Sequence, residues 1–247
     1  MKVRMYNVGF GDCFCLRDRK KSLLVDFGTN NSRIEGRPRR EIFDVIISDL
    51  STIKSKNLLL THFHMDHLSG LLYMMKKKDI SVDFGKIYLP DVFSKKEMSR
   101  TLVLLLLADL LKESGLPSRQ VSLFALVDAL LENKQNVELL SRGKLFENKY
   151  QALWPDTDVI RKETDEVYNR ICEDGKFKEV MDVLLEFAEK LRLIVWSMTA
   201  EGNKPAETVE KETDLTASEL TEQPEVRQKI IRAYVYEREF RRIKALP

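Results

Sequence analysis

The chain has 247 residues, of which 43% are hydrophobic and 32% are charged, and its formal net charge is +2. This length suits one large domain or two small ones with a sizeable core, and the near-neutral charge does not indicate a nucleic-acid or membrane partner. The densest apolar run, 102–107, is far shorter than the roughly 20 residues that span a bilayer. We therefore expect a soluble globular protein with no membrane partner.

The N-terminus and the cysteines bear on location. The opening stretch MKVRMYNVGFGD has no apolar segment of the signal-peptide type. Three cysteines are an odd number and give no disulfide framework. Cys13 and Cys15 are two residues apart on one face of a strand, a pattern more typical of small buried side chains than of a metal or redox site. We predict a cytoplasmic protein.

Strand and helix signals alternate over the first 93 residues. KVRMYNV and CFCLRD predict two strands joined by the turn GFGD, and KKSLLVDFGT predicts a third strand that ends at Asp26. Apolar residues at helical spacing predict a helix over 39–53, KNLLLTH a buried strand, HLSGLLYMMKKK a helix and FGKIYLPD a strand. This order is typical of the α/β class, and we expect SLLVDFG, NLLLTH and KIYLP to lie side by side.

The pattern changes after Phe93. Two leucine-rich amphipathic helices are predicted over 96–113 and 119–133, and two short strands around a turn at Arg142-Gly143. Residues 158–198 are predicted to be helical again, with an apolar stripe that packs into a core. The stripe consists of Val180, Val183, Leu184, Phe187, Leu191 and Ile194.

The C-terminal part has two predicted segments. Residues 200–224 are polar and poor in aromatic side chains, which predicts a mobile segment. Residues 226–244 predict a helix rich in arginine and tyrosine. A solvated, partner-facing helix is the preferred interpretation there, over a nucleic-acid surface.

All three histidines lie in the stretch LTHFHMDH, together with an aspartate. His62 and His64 are two residues apart in extended backbone and project from one face, and Asp66 and His67 follow in a turn. Imidazole nitrogen and carboxylate oxygen are ligands that Zn²⁺, Mn²⁺ and Fe²⁺ accept. The stretch therefore predicts the start of a divalent metal site. The competing interpretation is a chance histidine-rich loop, or histidines that are satisfied by hydrogen bonds in the core.

This stretch resembles the signature of the metallo-β-lactamase superfamily, His-x-His-x-Asp-His after a strand and before a glycine-containing helix. The segment YNVGFGDCFCLRDRKKSLLVDFGT is similar to the opening of the branch related to competence-type DNA-uptake proteins. The resemblance covers residues 1–93 well and 136–156 loosely. It implies a metallo-β-lactamase-like αββα fold with an incomplete second half, a domain over 1–156 with a helical insertion at about 94–135, and a helical region over 157–247.

The resemblance also implies roles for the site residues. His62 and His64 would bind a first metal, and Asp66 and His67 a second, with zinc preferred over manganese or iron. Asp66 would also orient or deprotonate the attacking water, and Asp26 would buttress the histidine loop through hydrogen bonds. For Asp26, a plain turn-forming role is the alternative. The implied function is a metal-dependent hydrolase in which a hydroxide attacks an ester or phosphodiester. The implied substrate is a small molecule or a phosphodiester, and nucleic acid is compatible with it although the net charge does not indicate it.

The chain departs from the family pattern after His67, because no histidine and no Gly-Asp pair follows to complete two metal sites. Two accounts fit: the missing ligands are encoded beyond residue 247, or the site is naturally partial. We therefore expect metal binding below two equivalents, and little or no turnover by this chain alone. The alternative function is a non-catalytic relative that acts as a binding or regulatory module.

Overall fold

The computed structural model describes residues 1–18, 21–77, 83–113, 123–173 and 175–200. The described residues form two compact units. One lies within Met1–Pro90 and Leu116–Glu138, and the other within Asp91–Gly115 and Leu139–Pro247. The domain boundary expected between residues 156 and 157 stays a prediction.

The first unit is built on a mixed six-stranded sheet, which confirms the α/β class. The chain-order strands up to residue 140 are β1 (Lys2–Met5), β2 (Phe14–Asp18), β3 (Lys21–Val25), the short pair β4 (Arg33–Ile34) and β5 (Arg37–Pro38), β6 (Ser55–Leu59), β7 (Ile87–Pro90) and β8 (Val137–Leu140). The sheet order is β1-β2-β3-β6-β7-β8. The three apolar strands expected side by side, β3, β6 and β7, are neighbours and run parallel.

Six α-helices occur in the described ranges, in the places where the apolar spacing predicts them. They are α1 (Arg39–Ser51), α2 (Met65–Met75), α3 (Ser99–Glu113, preceded by a 3-10 turn at Lys96–Met98), α4 (Leu123–Glu132), α5 (Thr157–Glu173) and α6 (Gly175–Ser197). In the first unit, α2 packs against α1 and α4. Helix α1 buries Phe43, Ile46 and Leu50 because these residues recur at three- and four-residue spacing on one face. None of the helices in the described ranges is long and apolar enough to cross a membrane.

In the second unit, α3, α5 and α6 pack against one another. Leu184, Leu191 and Ile194 of α6 are buried, which confirms the predicted core role of the apolar stripe. The two short strands predicted around Arg142-Gly143 are confirmed, but they pair with different partners. The strand before that turn, β8, joins the large sheet, whereas the hairpin forms one step later between β9 (Leu145–Phe146) and β10 (Tyr150–Gln151).

The burial of β8 explains why it joins the large sheet rather than the hairpin. β8 is almost wholly apolar and gains more from the buried sheet than from a short exposed hairpin. Glu147 and Asn148 both adopt positive φ and make the turn of the hairpin instead. The predicted mobile segment, apart from Ala200, and the predicted helix over 226–244 lie outside the described residues.

Glycines allow three backbone segments to meet without side chains between them. A Cβ on Gly11 would lie 2.2 Å from the Gly28 carbonyl oxygen and 2.8 Å from the Asp66 carbonyl oxygen. A Cβ on Gly28 would lie 2.6 Å from the Leu68 amide nitrogen. These contacts are shorter than any real Cβ tolerates, so the turn after β1, the turn after β3 and the start of α2 touch backbone to backbone.

We predict that Gly28→Ala lowers the free energy of unfolding by about 1–3 kcal/mol, because the added methyl group must displace the backbone of α2. Chemical unfolding monitored by circular dichroism measures the change. Gly36→Asn is the matched control, since Gly36 has open space around it and Asn tolerates its positive φ. Equal unfolding midpoints for wild type and Gly28→Ala would contradict the close packing described above.

Candidate metal centre

The histidine loop connects the end of β6 to the start of α2. His62 lies in the irregular segment between them, and His64 has extended backbone (φ −80°, ψ 151°) immediately before the helix begins at Met65. Asp66 and His67 occupy the first turn of α2. The predicted placement of His62 in a loop, and of the other residues at a strand-to-helix junction, is confirmed.

Asp26 fixes this loop from the neighbouring strand. Its backbone amide donates to the Leu59 carbonyl (2.8 Å), and its φ of 54° turns the chain at the end of β3. The carboxylate accepts hydrogen bonds from the Thr61 amide (2.8 Å), the Thr61 hydroxyl (2.7 Å) and His67 Nδ1 (2.9 Å). Only 3% of the Asp26 side chain is exposed, so these bonds are shielded from water.

The hydrogen bonds define which imidazole nitrogens face outwards. His67 Nδ1 is engaged by Asp26, and His67 Nε2 lies 3.6 Å from Asp66 Oδ2. The Thr61 hydroxyl gives its proton to Asp26 and can therefore only accept from His62 Nδ1, which lies 3.0 Å away. These hydrogen bonds use Nδ1 of both histidines, so Nε2 is the nitrogen of each ring that would bind a metal.

Three of the four predicted ligands converge. Single ligand atoms of His62, Asp66 and His67 all lie within 4.8 Å of one another. The rings of His62 and His67 have centroids 3.7 Å apart, and those of His62 and His64 are 4.7 Å apart. His64 is thus a neighbour of His62 outside this triad, and the assignment of the four residues to two metals stays a prediction.

The environment shifts the pKa values of the two triad histidines in opposite directions. Burial, together with the charges of His67 and His64, lowers the pKa of His62. Burial also acts to lower the pKa of His67, but the hydrogen bond and charge of Asp26, with Asp66 and Asp12, outweigh it and raise the pKa. The lowered pKa of His62 favours the neutral imidazole that a metal requires, whereas the raised pKa of His67 favours the protonated ring, which must lose that proton when a metal binds.

The sequence reasoning missed Asp12. Its carboxylate lies 3.7 Å from His67 Nδ1, and its amide donates to the Asp66 carbonyl (3.2 Å). Asp12, Asp26 and His67 form a second group whose ligand atoms lie within 4.8 Å of one another. The sequence signal for Asp12 was the glycine before it in the GFGD turn. Gly11 packs against the backbone of Asp66, and this contact places the Asp12 side chain close to His67.

The donor set fits a divalent ion. Two imidazoles and one carboxylate converge, the histidines are oriented by hydrogen bonds, and Asp66 is 29% exposed, so water and ligands reach this side of the group. The opposite side of His67 is occupied by the buried Asp26 carboxylate. The model of the metallo-beta-lactamase superfamily matches residues 6–91, which include all of these positions.

Residues 6–91 belong to the metallo-beta-lactamase superfamily.

A curated relative in this superfamily region is the endoribonuclease YSH1 of Mycosarcoma maydis, which is 32% identical over 77 residues. The match covers 31% of this chain and 8% of the endoribonuclease, so the chain spans a small part of that protein's length. No solved structure matches the chain. The metallo-beta-lactamase assignment therefore concerns the N-terminal part, and divalent metals are the ions typical of the superfamily.

We predict that Asp26→Asn weakens zinc binding about 10- to 100-fold, as loss of a partner that orients a histidine ligand does. The amide nitrogen cannot accept the proton of His67 Nδ1, so the ring loses its fixed orientation. Isothermal titration with Zn²⁺ measures the affinity, and ¹⁵N chemical shifts of His67 report the tautomer.

Asp49→Asn is the matched control for that experiment. Asp49 also accepts several hydrogen bonds, from Arg4, Tyr6 and Arg17, but it lies on α1 outside both ligand groups. It should change stability without changing zinc affinity. Unaltered affinity in Asp26→Asn, or an equal loss in Asp49→Asn, would show that Asp26 does not act through His67.

Proposed function

We propose that this protein is a metal-dependent hydrolase that cleaves esters or phosphodiesters. The observation that supports this most directly is the convergence of His62, Asp66 and His67, with Nδ1 of each histidine held by a hydrogen bond and Nε2 left for a metal. Such a set is open on one side, as a catalytic site requires, whereas structural zinc sites are closed by four ligands.

Each residue of the site has its own role in this proposal. His62 and His67 hold the ion, with His64 as an additional ligand from the neighbouring position, and Asp26 keeps His67 in place. Asp66, which is partly exposed beside His67 Nε2, orients the attacking water and takes its proton. When bound, a divalent ion lowers the pKa of water towards neutrality and stabilises the negative charge that develops on the substrate.

Phosphodiesters are the preferred substrate class within this proposal. The similarity to a protein named as an endoribonuclease supports them, although it covers only 77 residues. Zinc is the proposed ion, with manganese and iron as alternatives, since all three accept imidazole and carboxylate. The three cysteines are free thiols, which is compatible with the proposed cytoplasmic location.

We predict that the chain binds Zn²⁺ or Mn²⁺ weakly and below two equivalents, because no histidine follows His67. His62→Ala or His64→Ala should remove most of the binding. Metal analysis after dialysis gives the stoichiometry. Two tightly held ions per chain would mean that carboxylates elsewhere complete the site and would contradict the half-complete ligand set.

For catalysis, we predict turnover of bis(p-nitrophenyl) phosphate close to the detection limit at saturating metal, and none in Asp66→Asn. Removing a general base typically costs about 10²- to 10⁴-fold. Asp158→Asn, which changes an exposed carboxylate on α5, is the matched control and should retain the wild-type rate. The release of p-nitrophenolate is followed at fixed pH.

The second candidate function is a non-catalytic binding or regulatory module, and the absence of any histidine after His67 favours it. The same assay separates the two. If wild type binds metal at His62 but its rate equals that of Asp66→Asn, the hydrolase proposal fails and the binding module stands.

A further inference from the structure

Four arginines lie close together between β3 and the first turn of α1. Arg33 and Arg37 belong to the short strands β4 and β5, and Arg39 and Arg40 open α1. All four are exposed, although the segment buries Ile34 beneath them. We call Arg33, Arg37, Arg39 and Arg40 the arginine hairpin. It presents four positive charges within eight residues.

No described carboxylate forms an ion pair with the arginine hairpin, although Glu35 lies within the segment and Glu41 directly follows it. None of its four guanidinium groups lies within 4.0 Å of a carboxylate in the described part of the chain, and Arg33 Nε donates only to the Gly36 carbonyl. Other described arginines do form ion pairs with Asp or Glu: Arg4, Arg17, Arg100, Arg142, Arg161 and Arg170. The hairpin therefore keeps donors available for an external anion.

An exposed aromatic side chain lies beside the hairpin. Phe10 is 80% exposed, yet its backbone is held in place. Its amide donates to Asn31 Oδ1 (2.7 Å), and its carbonyl accepts from the Asn30 amide (2.8 Å) and the Thr29 hydroxyl. Leaving a large apolar ring in water forfeits about 1.5–3 kcal/mol of burial. A fixed, exposed ring of this kind is suited to stacking against a planar ligand.

The same turn connects the hairpin to the metal centre. Asn7 Nδ2 donates to Glu35 Oε1 (2.7 Å) in the arginine hairpin segment. Asp12, two residues after Phe10, lies 3.7 Å from His67 Nδ1. Because consecutive Cα atoms are about 3.8 Å apart, the Cα atoms of Phe10 and Asp12 are at most about 7.6 Å apart. The turn that carries Phe10 is thus in contact with the histidine loop through Asp12.

We propose that Phe10 and the arginine hairpin bind a single strand of nucleic acid and lead its backbone to the metal centre. The guanidinium groups bind successive phosphates, and a base stacks on Phe10. The proposal rests on the hydrolase function and specifies its phosphodiester substrate as nucleic acid. The net charge of +2 does not reveal this surface, because acidic residues elsewhere in the chain offset the local excess of arginine.

Fluorescence anisotropy with labelled oligouridylate and oligothymidylate, in EDTA to prevent cleavage, tests the proposal on the full chain. We expect Phe10→Ala to weaken binding about 5- to 150-fold, the range for removal of one base–aromatic stack. The fourfold variant Arg33→Gln, Arg37→Gln, Arg39→Gln, Arg40→Gln should lower the slope of log affinity against log salt by about 0.7 for each phosphate that the variant no longer binds. The two oligonucleotides distinguish RNA from DNA.

Matched controls remove charge or an aromatic ring elsewhere. Arg161→Gln with Arg170→Gln removes exposed arginines from α5, and Phe177→Ala removes an exposed ring from α6. These variants should bind like wild type. Phe10→Tyr and the fourfold Arg→Lys variant should recover most of the binding, which excludes misfolding as the cause of the weaker binding. An equally large reduction in the control variants would overturn the proposal.

The same measurements distinguish the nucleic-acid surface from the hydrolase proposal and from a membrane-binding surface. Turnover of bis(p-nitrophenyl) phosphate by wild type without oligonucleotide binding overturns the nucleic-acid surface and leaves the hydrolase proposal standing. Oligonucleotide binding without any turnover supports the surface and counts against the hydrolase. Binding to phosphatidylserine vesicles with no binding to either oligonucleotide would assign the arginine hairpin to a membrane and overturn the proposal.

Discussion

The buried carboxylate of Asp26 fixes the loop that carries the candidate metal ligands. One side chain accepts two hydrogen bonds from Thr61 and one from His67, and its backbone amide bonds the end of β6. A buried carboxylate is stable only when its oxygens are satisfied, so the loop after β6 and the first turn of α2 are fixed relative to β3. The hydrogen bond to Asp26 orients the His67 ring, and the contact with the Thr61 hydroxyl orients the His62 ring.

The glycines make this arrangement possible. Gly11 and Gly28 let three backbone segments approach to distances that no side chain would permit. The turn after β1 is consequently bonded to α2, through the Asp12 amide and the Asp66 carbonyl. As a result, the turn that carries Phe10 is held against the helix that carries Asp66 and His67.

Much of this could be predicted because it depends on local signals. Apolar alternation and helical spacing located the strands and helices, and the spacing of His62, His64, Asp66 and His67 at a strand-to-helix junction located the site. These local signals did not predict which strand β8 pairs with. Whether a short apolar strand turns back on itself or enters a large sheet is decided by the burial available in the folded chain.

The sequence by itself indicated which residues could bind a metal, since imidazoles and a carboxylate are clustered at one strand-to-helix junction, and it determined the α/β order through its periodicity. Only the tertiary structure decided which atoms meet. It joined His62 to Asp66 and His67 in one triad and brought in Asp12 from a distant turn. It also left four arginines without acidic partners in the described part of the chain. The physical reason is that hydrogen bonds and charge pairs between distant segments depend on chain crossings and backbone contacts, which composition and local spacing do not encode.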